Sequence, residues 1–491
     1  MNRLVVVSNR VPAPAAAGAQ AGGLAVALEA LMDRRGGVWF GWSGQITGAP
    51  SNIAKQVDSG RVRYATVDLS AEEHERYYNE FSNSTLWPLL HSMPELMTFD
   101  RRNAQAYRAV NERFAEALHP MLRANDLVWI HDYHLMALPS LLRGRGVRAP
   151  IGFFLHIPFP SPDILASVPE AGALVRDLLA ADLIGFQTAN DVDNFAEAAV
   201  RLGDALRMEG GWLKVGTRRV RLGVFPVEIE AQEFAAIAED AWRAAPTERL
   251  RRSLSGQRLI LGVDRMDPTK GLPQRLAGYR RLLETRPHWR RRATFLQIAA
   301  ESRKDVVAYQ DLRTSVEQAA GSINSEFSEA DWTPLRLVAR AGARSTMAGY
   351  MREARVGLVT PLRDGMNLVA KEFIAAQDPQ DPGVLVLSRF AGAARQLGAA
   401  LIVNPHDADE VADALDAALN MSLAERQSRW QASWDALKDT SALAWGRSFV
   451  AALLRAAVAG PASERRASPG RLPLTDVLGP TRAEIGLMRL R

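Results

Sequence analysis

Short runs of apolar residues recur along this chain, each ending in polar residues and followed by a helical pattern. Strands spaced by helices pack as right-handed crossovers, which commits the chain to a parallel, doubly wound sheet. In the first half the predicted strands are 4–9, 38–42, 63–68, 127–130, 151–155, 183–186 and 220–225. A charged, Ala-rich helical segment after Pro226 runs to about Arg252 and reads as a bridge between domains. A second series then follows at 259–263, 294–298, 335–338, 356–359, 384–387 and 401–403. The 491 residues exceed what one ordinary core organises. The expected fold is therefore α/β, with two Rossmann-like, doubly wound domains facing each other across a cleft. The expected boundaries are 1–230 for the first domain and 231–440 for the second. A last helix within 441–460 is expected to pack back on the first domain, and 461–491 reads as a flexible, basic tail.

Composition removes several functions. With no cysteine, disulfides, thiolate metal sites and a Cys nucleophile are excluded. The N-terminus is a short strand-like run without a secretory h-region, and no stretch approaches 18 uninterrupted apolar residues. No membrane partner is expected, and the cytoplasm is the expected location. The net charge of +5 would hint at nucleic acid, but residues 461–491 hold six Arg against three acidic residues, leaving only +2 for the first 460. A basic footprint is absent from the folded part, so no nucleic-acid partner is expected.

The stretch 356–376, VGLVTPLRDGMNLVAKEFIAA, combines a buried strand, a polar turn with its flexible point at Gly365, and a helix capped by Asn367. This geometry aims free N–H groups at the carboxyl edge of a sheet, where phosphorylated ligands bind. Glu372, on the face of that first turn, suits a pair of ribose hydroxyls; the same residues also read as an ordinary turn with a solvated Glu. Arg265, ending its strand, and Lys270-Gly271, before the next helix, suit a diphosphate; a pair of surface cations is the other reading. Gly22 and Gly23 precede a helix and would let backbone approach a ligand. Arg303 lies in the loop after strand 294–298, while Arg10, Asp132 and His156 end strands of the first half. Tyr77, Tyr78, Phe81 and Trp87 form an aromatic cluster of which two or three members are assigned to the core. His131 and His134 have no third ligand and no HExxH, so orientation and packing are favoured over a metal. The GxSxG elbow of a serine hydrolase and the dinucleotide fingerprint of a dehydrogenase are both missing.

The segments SNRV, AGGLAVAL, WFGWSG, HDYHLM, FLHIPFPS, IGFQT, DRMDPTKGLPQRL and LVTPLRDGMNLVAKEF occur in unbroken order between about Arg3 and Ala457. Together they resemble the trehalose-6-phosphate synthases, retaining GT-B glycosyltransferases of family 20. The resemblance implies transfer of glucose from UDP-glucose to glucose 6-phosphate, with UDP and α,α-trehalose 6-phosphate as products. Carried onto this sequence, it assigns the donor to Gly22, Gly23, Arg265, Lys270, Gly342, Asp364, Gly365, Met366, Asn367, Leu368, Val369, Ala370, Lys371 and Glu372. The acceptor falls to Arg10, Trp42, Tyr78, Asp132 and Arg303, and selection of its anomer to Trp87 and His156. Arg265, Lys270, Asp132 and His156 carry the chemistry, with no metal and no cofactor. A dimer or tetramer is left open.

Three departures from the family pattern bear on that assignment. Gly342 falls where a Phe is common, Pro268 stiffens the loop DRMDPTKG, and Glu228 replaces a usual Gly in VFPVEIE. The rival readings are a GDP-glucose donor, a glucosylglycerol-phosphate synthase with a smaller acceptor, and a non-catalytic sugar-phosphate sensor. The sensor is disfavoured by the presence of Arg265, Lys270 and Glu372. Residues after 460 are too few for the phosphatase fused to many relatives, so the product is expected to leave still phosphorylated.

Overall fold

A computed structural model describes residues 2–12, 23–303 and 306–459. The first sheet is built from β1 (Leu4–Arg10), β2 (Gly37–Ile46), β3 (Lys55–Ser59), β4 (Val62–Leu69), β5 (Leu127–His131), β6 (Ile151–Phe154), β7 (Leu183–Phe186), β8 (Leu206–Met208), β9 (Trp212–Val215) and β10 (Arg218–Val224). Its order is β3-β4-β2-β1-β5-β6-β7-β10-β9-β8. From β4 through β10 neighbours are parallel, whereas β3, β8 and β9 attach antiparallel at the two edges.

The second sheet contains β11 (Arg258–Arg265), β12 (Ala293–Ala300), β13 (Leu335–Val338), β14 (Val356–Val359), β15 (Val384–Ser388) and β16 (Leu401–Val403). It is wholly parallel with the order β13-β12-β11-β14-β15-β16. Counted from its own first strand this is 3-2-1-4-5-6, the doubly wound dinucleotide-type order. Strand segments such as LILG and LVVV are buried on both faces, as all-parallel sheets require.

The three strands absent from the sequence reading are β3, β8 and β9. All five residues of β3 are exposed, so its KQVDS has no apolar run to detect. The segment read as a bridge is instead part of the second core. It forms helices Ala231–Trp242 and Ala245–Leu254, whose Phe234, Ala238, Leu250 and Leu254 are buried with Leu261 and Phe373.

The helix Ala442–Ala459 returns to the first sheet. Phe449 stacks on Trp129 at 4.4 Å and 10°, and the Trp445 indole N–H donates to Phe225 O at 3.1 Å. Gly152 and Gly185 make room for this: a Cβ on either would sit 2.7 Å from the Phe449 ring. Neither strand position needs glycine for its backbone conformation; both need it for the helix to dock.

That packing predicts the outcome of Gly152→Ala. Forcing the Phe449 ring outward is expected to cost roughly 1–3 kcal/mol, read as a lower thermal unfolding midpoint. Phe449→Leu in the same chain is expected to recover part of the loss. An unchanged midpoint for Gly152→Ala would show that the helix does not press on the sheet there.

Candidate active site

Each sheet has one point at which strand order reverses, and each point carries polar residues at its carboxyl edge. In the first sheet the reversal lies between β1 and β5, which end beside Arg10 and Asp132. In the second it lies between β11 and β14, which end at Arg265 and at the turn 360–367. Open α/β sheets bind ligands in such crevices because the flanking loops diverge there.

On the second-domain side, Asn367 has φ 72° and caps the helix Leu368–Ala376 by accepting from Ala370 N at 3.2 Å. Its amide donates to Asp364 at 3.0 Å, and the Asp364 carboxylate is ion-paired with Lys270. Gly365 approaches the other domain so closely that a Cβ there would lie 2.2 Å from His156 O. Contact across the domains therefore accounts for this glycine. Met366 and Ala370 are buried, while Leu368, Val369 and Glu372 are partly open. Burial pushes the Glu372 carboxyl up to about 7, with Arg344 pulling the other way. Lys371 turns away from the cleft: fully buried, it donates to Glu228 at 2.6 Å and to Val227 O at 2.8 Å. Its ammonium is not available to a ligand at the helix start. Gly342 lies in an exposed loop beside Met347, Gly23 begins the helix Gly23–Arg35, and Gly22 falls outside the described residues.

On the first-domain side, a π-helical stretch, His74–Leu86, spreads its aromatic residues over different surfaces. Tyr77 and Phe81 are buried in the core; Tyr78 is partly open and stacks on His134 at 5.8 Å. Trp42 sits 5.8 Å from Tyr78, and the Arg10 guanidinium lies 5.9 Å from the Trp42 ring. Asp132 adopts φ 73° and accepts from His156 N at 3.3 Å. Burial raises its carboxyl to about 6, against the pull of the Tyr133 and His156 backbone N–H groups and, behind them, of Arg303 and Arg265. Burial lowers His156 and His134 to about 3, so both are neutral at pH 7. His131 is likewise held neutral and shares a 3.0 Å hydrogen bond between its Nδ1 and His156 Nε2. Among the described residues no group of three His, Cys, Asp or Glu is arranged to hold a metal ion.

Asp267 joins the two sides. It is 0% exposed, and its carboxylate accepts from Trp87 Nε1 at 3.3 Å, Tyr309 OH at 3.1 Å and Arg265 at 3.5 Å. Burial would raise its pKa, but Arg265, Arg303 and Lys270 overcome that and hold it well below the usual carboxylate range. Arg303 lies 3.9 Å over the Trp87 ring, donates to Tyr133 OH at 3.1 Å and also bonds Tyr309. Asp267, Tyr133 and Tyr309 were not singled out from sequence. Asp267 could have been, because it stands between two cations in one loop. Tyr309 had no local signal, arriving from a helix 42 residues further on.

A family model described as glycosyltransferase family 20 matches residues 3–455. The chain belongs to glycosyltransferase family 20. A trehalose-6-phosphate synthase of Sinorhizobium fredii is 44% identical over 454 residues, covering 92% of this chain and 98% of the relative. Among solved structures, a UDP-forming α,α-trehalose-phosphate synthase of Burkholderia xenovorans in complex with glucose-6-phosphate has TM-score 0.89 and 43% identity. It covers 92% of this chain and 100% of its own. An E. coli structure bound with UDP-2-fluoro glucose has TM-score 0.87 and 44% identity, covering 92% and 99%. These matches agree with the two facing sheets, and they make this family-20 chain a glycosyltransferase.

The raised Glu372 carboxyl carries a pH prediction. Its folded pKa of about 7 lies above the ordinary 4.5, so the ionised form accumulates only as pH rises through 7. With acceptor saturating, kcat/KM for the nucleotide sugar is expected to rise through pH 7, and Glu372→Gln is expected to flatten that limb. A limb unchanged in Glu372→Gln assigns the titration elsewhere. Charging a desolvated carboxyl also costs stability, so the Glu372 contribution declines between pH 4.5 and 7.

Proposed function

We propose that this glycosyltransferase moves glucose from UDP-glucose to glucose 6-phosphate with retained configuration, releasing UDP and α,α-trehalose 6-phosphate. The observation that carries the reading is the meeting of two polar sets, one at each sheet's reversal point, across the Trp87–Asp267 contact. Substrates of two relatives in the family, glucose-6-phosphate and a UDP-glucose analogue, support the same pair.

In this reading the donor diphosphate lies against Arg265, Lys270 and the N–H groups opening the helix at Leu368. Arg265 is 48% exposed on its side chain, leaving much of the guanidinium open to a phosphate. Lys270 starts from its pair with Asp364. A diphosphate drawing the ammonium to itself frees that carboxylate to accept from a glucose hydroxyl, alongside Asn367. Glu372 takes the ribose hydroxyls, and Gly23 and Gly342 complete the donor pocket. Arg10, Trp42, Tyr78 and Arg303 hold the phosphorylated acceptor. Asp132, largely ionised at neutral pH, accepts a hydroxyl near the new bond. Trp87 and His156 bound the space that selects the anomer.

The acceptor oxygen bonds to the anomeric carbon as the carbon–oxygen bond to diphosphate breaks on the same face. The acceptor proton passes to the departing phosphate oxygen. His156 is a poor alternative base, because burial holds it near 3. The protein's contribution is then positioning and stabilisation of charge on the leaving group. Both substrates are anionic sugars that do not cross a bilayer unaided, and no helix among the described residues is long and apolar enough to span one. The reading puts the reaction in the cytoplasm.

Arg265→Ala is expected to remove about 1.5–3 kcal/mol of charge-assisted contact, or roughly ten- to a hundredfold in kcat/KM. Arg303→Ala is expected to raise KM for glucose 6-phosphate more than for UDP-glucose. Both are read from nucleotide release over a matrix of nucleotide sugars and phosphorylated acceptors, with the product's anomeric configuration checked by NMR. A wild-type rate in Arg265→Ala would remove its role. Turnover only with GDP-glucose or a three-carbon acceptor would replace this substrate pair.

A further inference from the structure

A partly open cavity of about 180 Å³ lies between the domains beside Trp87. Glu80, Asn83, Trp87 and Leu96 line it from the first domain, and Val306 and Tyr309 from the second. Arg10, Trp42, Tyr78 and Asp132 do not. Its volume exceeds the roughly 150 Å³ of an apolar cavity that admits benzene.

Two polar groups on its wall lack partners. Asn83 is 2% exposed; its Oδ1 accepts from Tyr133 OH at 2.8 Å, while its Nδ2 has no hydrogen-bond partner among the described residues. Glu80 has no hydrogen-bond or ion-pair partner there either. Burial raises its carboxyl, and Glu75 and Asp100 add to that, so the surroundings are negative. Both proposed substrates carry phosphate and are repelled by such a wall.

We propose that this cavity is a second ligand site, taking a small uncharged or cationic molecule with an apolar body, an oxygen or nitrogen acceptor for Asn83 and an N–H donor for Glu80. Its occupant acts on the acceptor side through Arg303, a step that rests on the role given to Arg303 above. The route is short. Arg303 donates to Tyr133 OH, which in turn donates to Asn83. On the facing wall, the Tyr309 hydroxyl bonds Arg303 and donates to Asp267. Because the walls come from different domains, an occupant also sets their separation.

Benzamide carries both groups on a ring that fits; benzamidine, a cation at neutral pH, carries only the N–H donors and meets Glu80 alone; benzoate has the same shape with the wrong charge. Calorimetry on the full chain without substrates is expected to show binding of the first two and none of benzoate. Leu96→Trp fills the cavity from its rim, where Leu96 is 38% exposed, and is expected to abolish that binding. Glu80→Gln is expected to weaken benzamidine about tenfold, the scale of losing one charge-assisted hydrogen bond, and to spare benzamide. Saturating benzamide is expected to shift KM for glucose 6-phosphate at least about twofold, a modest allosteric coupling, and Leu96→Trp to remove the shift. Absence of binding by both ligands, as for a cavity that holds only water, would overturn the proposal. So would binding that survives Leu96→Trp, or an unaltered KM at saturation. Calorimetry needs no turnover, so failure of the substrate reading would be seen separately.

Discussion

The cleft is organised around one buried negative charge. Asp267 gathers Arg265, Arg303 and the Trp87 N–H around a single carboxylate, and it also caps its own turn through Thr269 N at 3.1 Å. Three consequences follow from that placement. Two cations can stand side by side without repelling each other out of position. The loop holding Lys270 keeps its shape, and a tryptophan of one domain is bonded to the other. A carboxylate this deeply buried is tolerable only with such partners, and removing one side of such a cluster typically costs about 3–5 kcal/mol. The same burial that strengthens these contacts keeps His156 and His134 neutral, leaving charge concentrated on the second domain's side.

Strand existence was legible because parallel strands buried on both faces must be apolar throughout. The run 356–359 and the cap at Asn367 appear in the structure where the sequence reading puts them. Edge strands were illegible for the converse reason: β3 and β8 have no fully buried face to leave a pattern. The role of Phe449 was equally hidden, since two strand glycines, Gly152 and Gly185, carry meaning only once the last helix is seen against them. At the site, Arg265 stood out by its place at a strand end, while Asp364 was assigned through the family resemblance alone. Their partners did not: Tyr133 and Tyr309 reach Arg303 from separate domains, and no local spacing encodes that meeting.

Glu228 and Lys371 show how a departure from a family pattern can acquire a structural reason. Glu228 receives Lys371 at 2.6 Å, Gln396 at 2.7 Å and Thr440 at 3.2 Å. The segment leaving the first domain is thereby tied to the helix that begins at Leu368 and to the chain's return toward the first sheet. Where a glycine would leave the connector free, this carboxylate fastens it to three elements. Lys371, adjacent to Glu372, is then a part of the frame that fixes the helix beginning at Leu368.

The central claim is that Asp267 couples the two sides of the cleft through Trp87. A double-mutant cycle on kcat/KM with Asp267→Asn and Trp87→Phe tests it most directly: the first keeps the turn's acceptor oxygen, and the second keeps a ring beneath Arg303. The account predicts that the effects are non-additive, with a coupling of about 0.5–3 kcal/mol as for residues in direct contact. Effects that sum to within about 0.3 kcal/mol, the behaviour of independent sites, would contradict it.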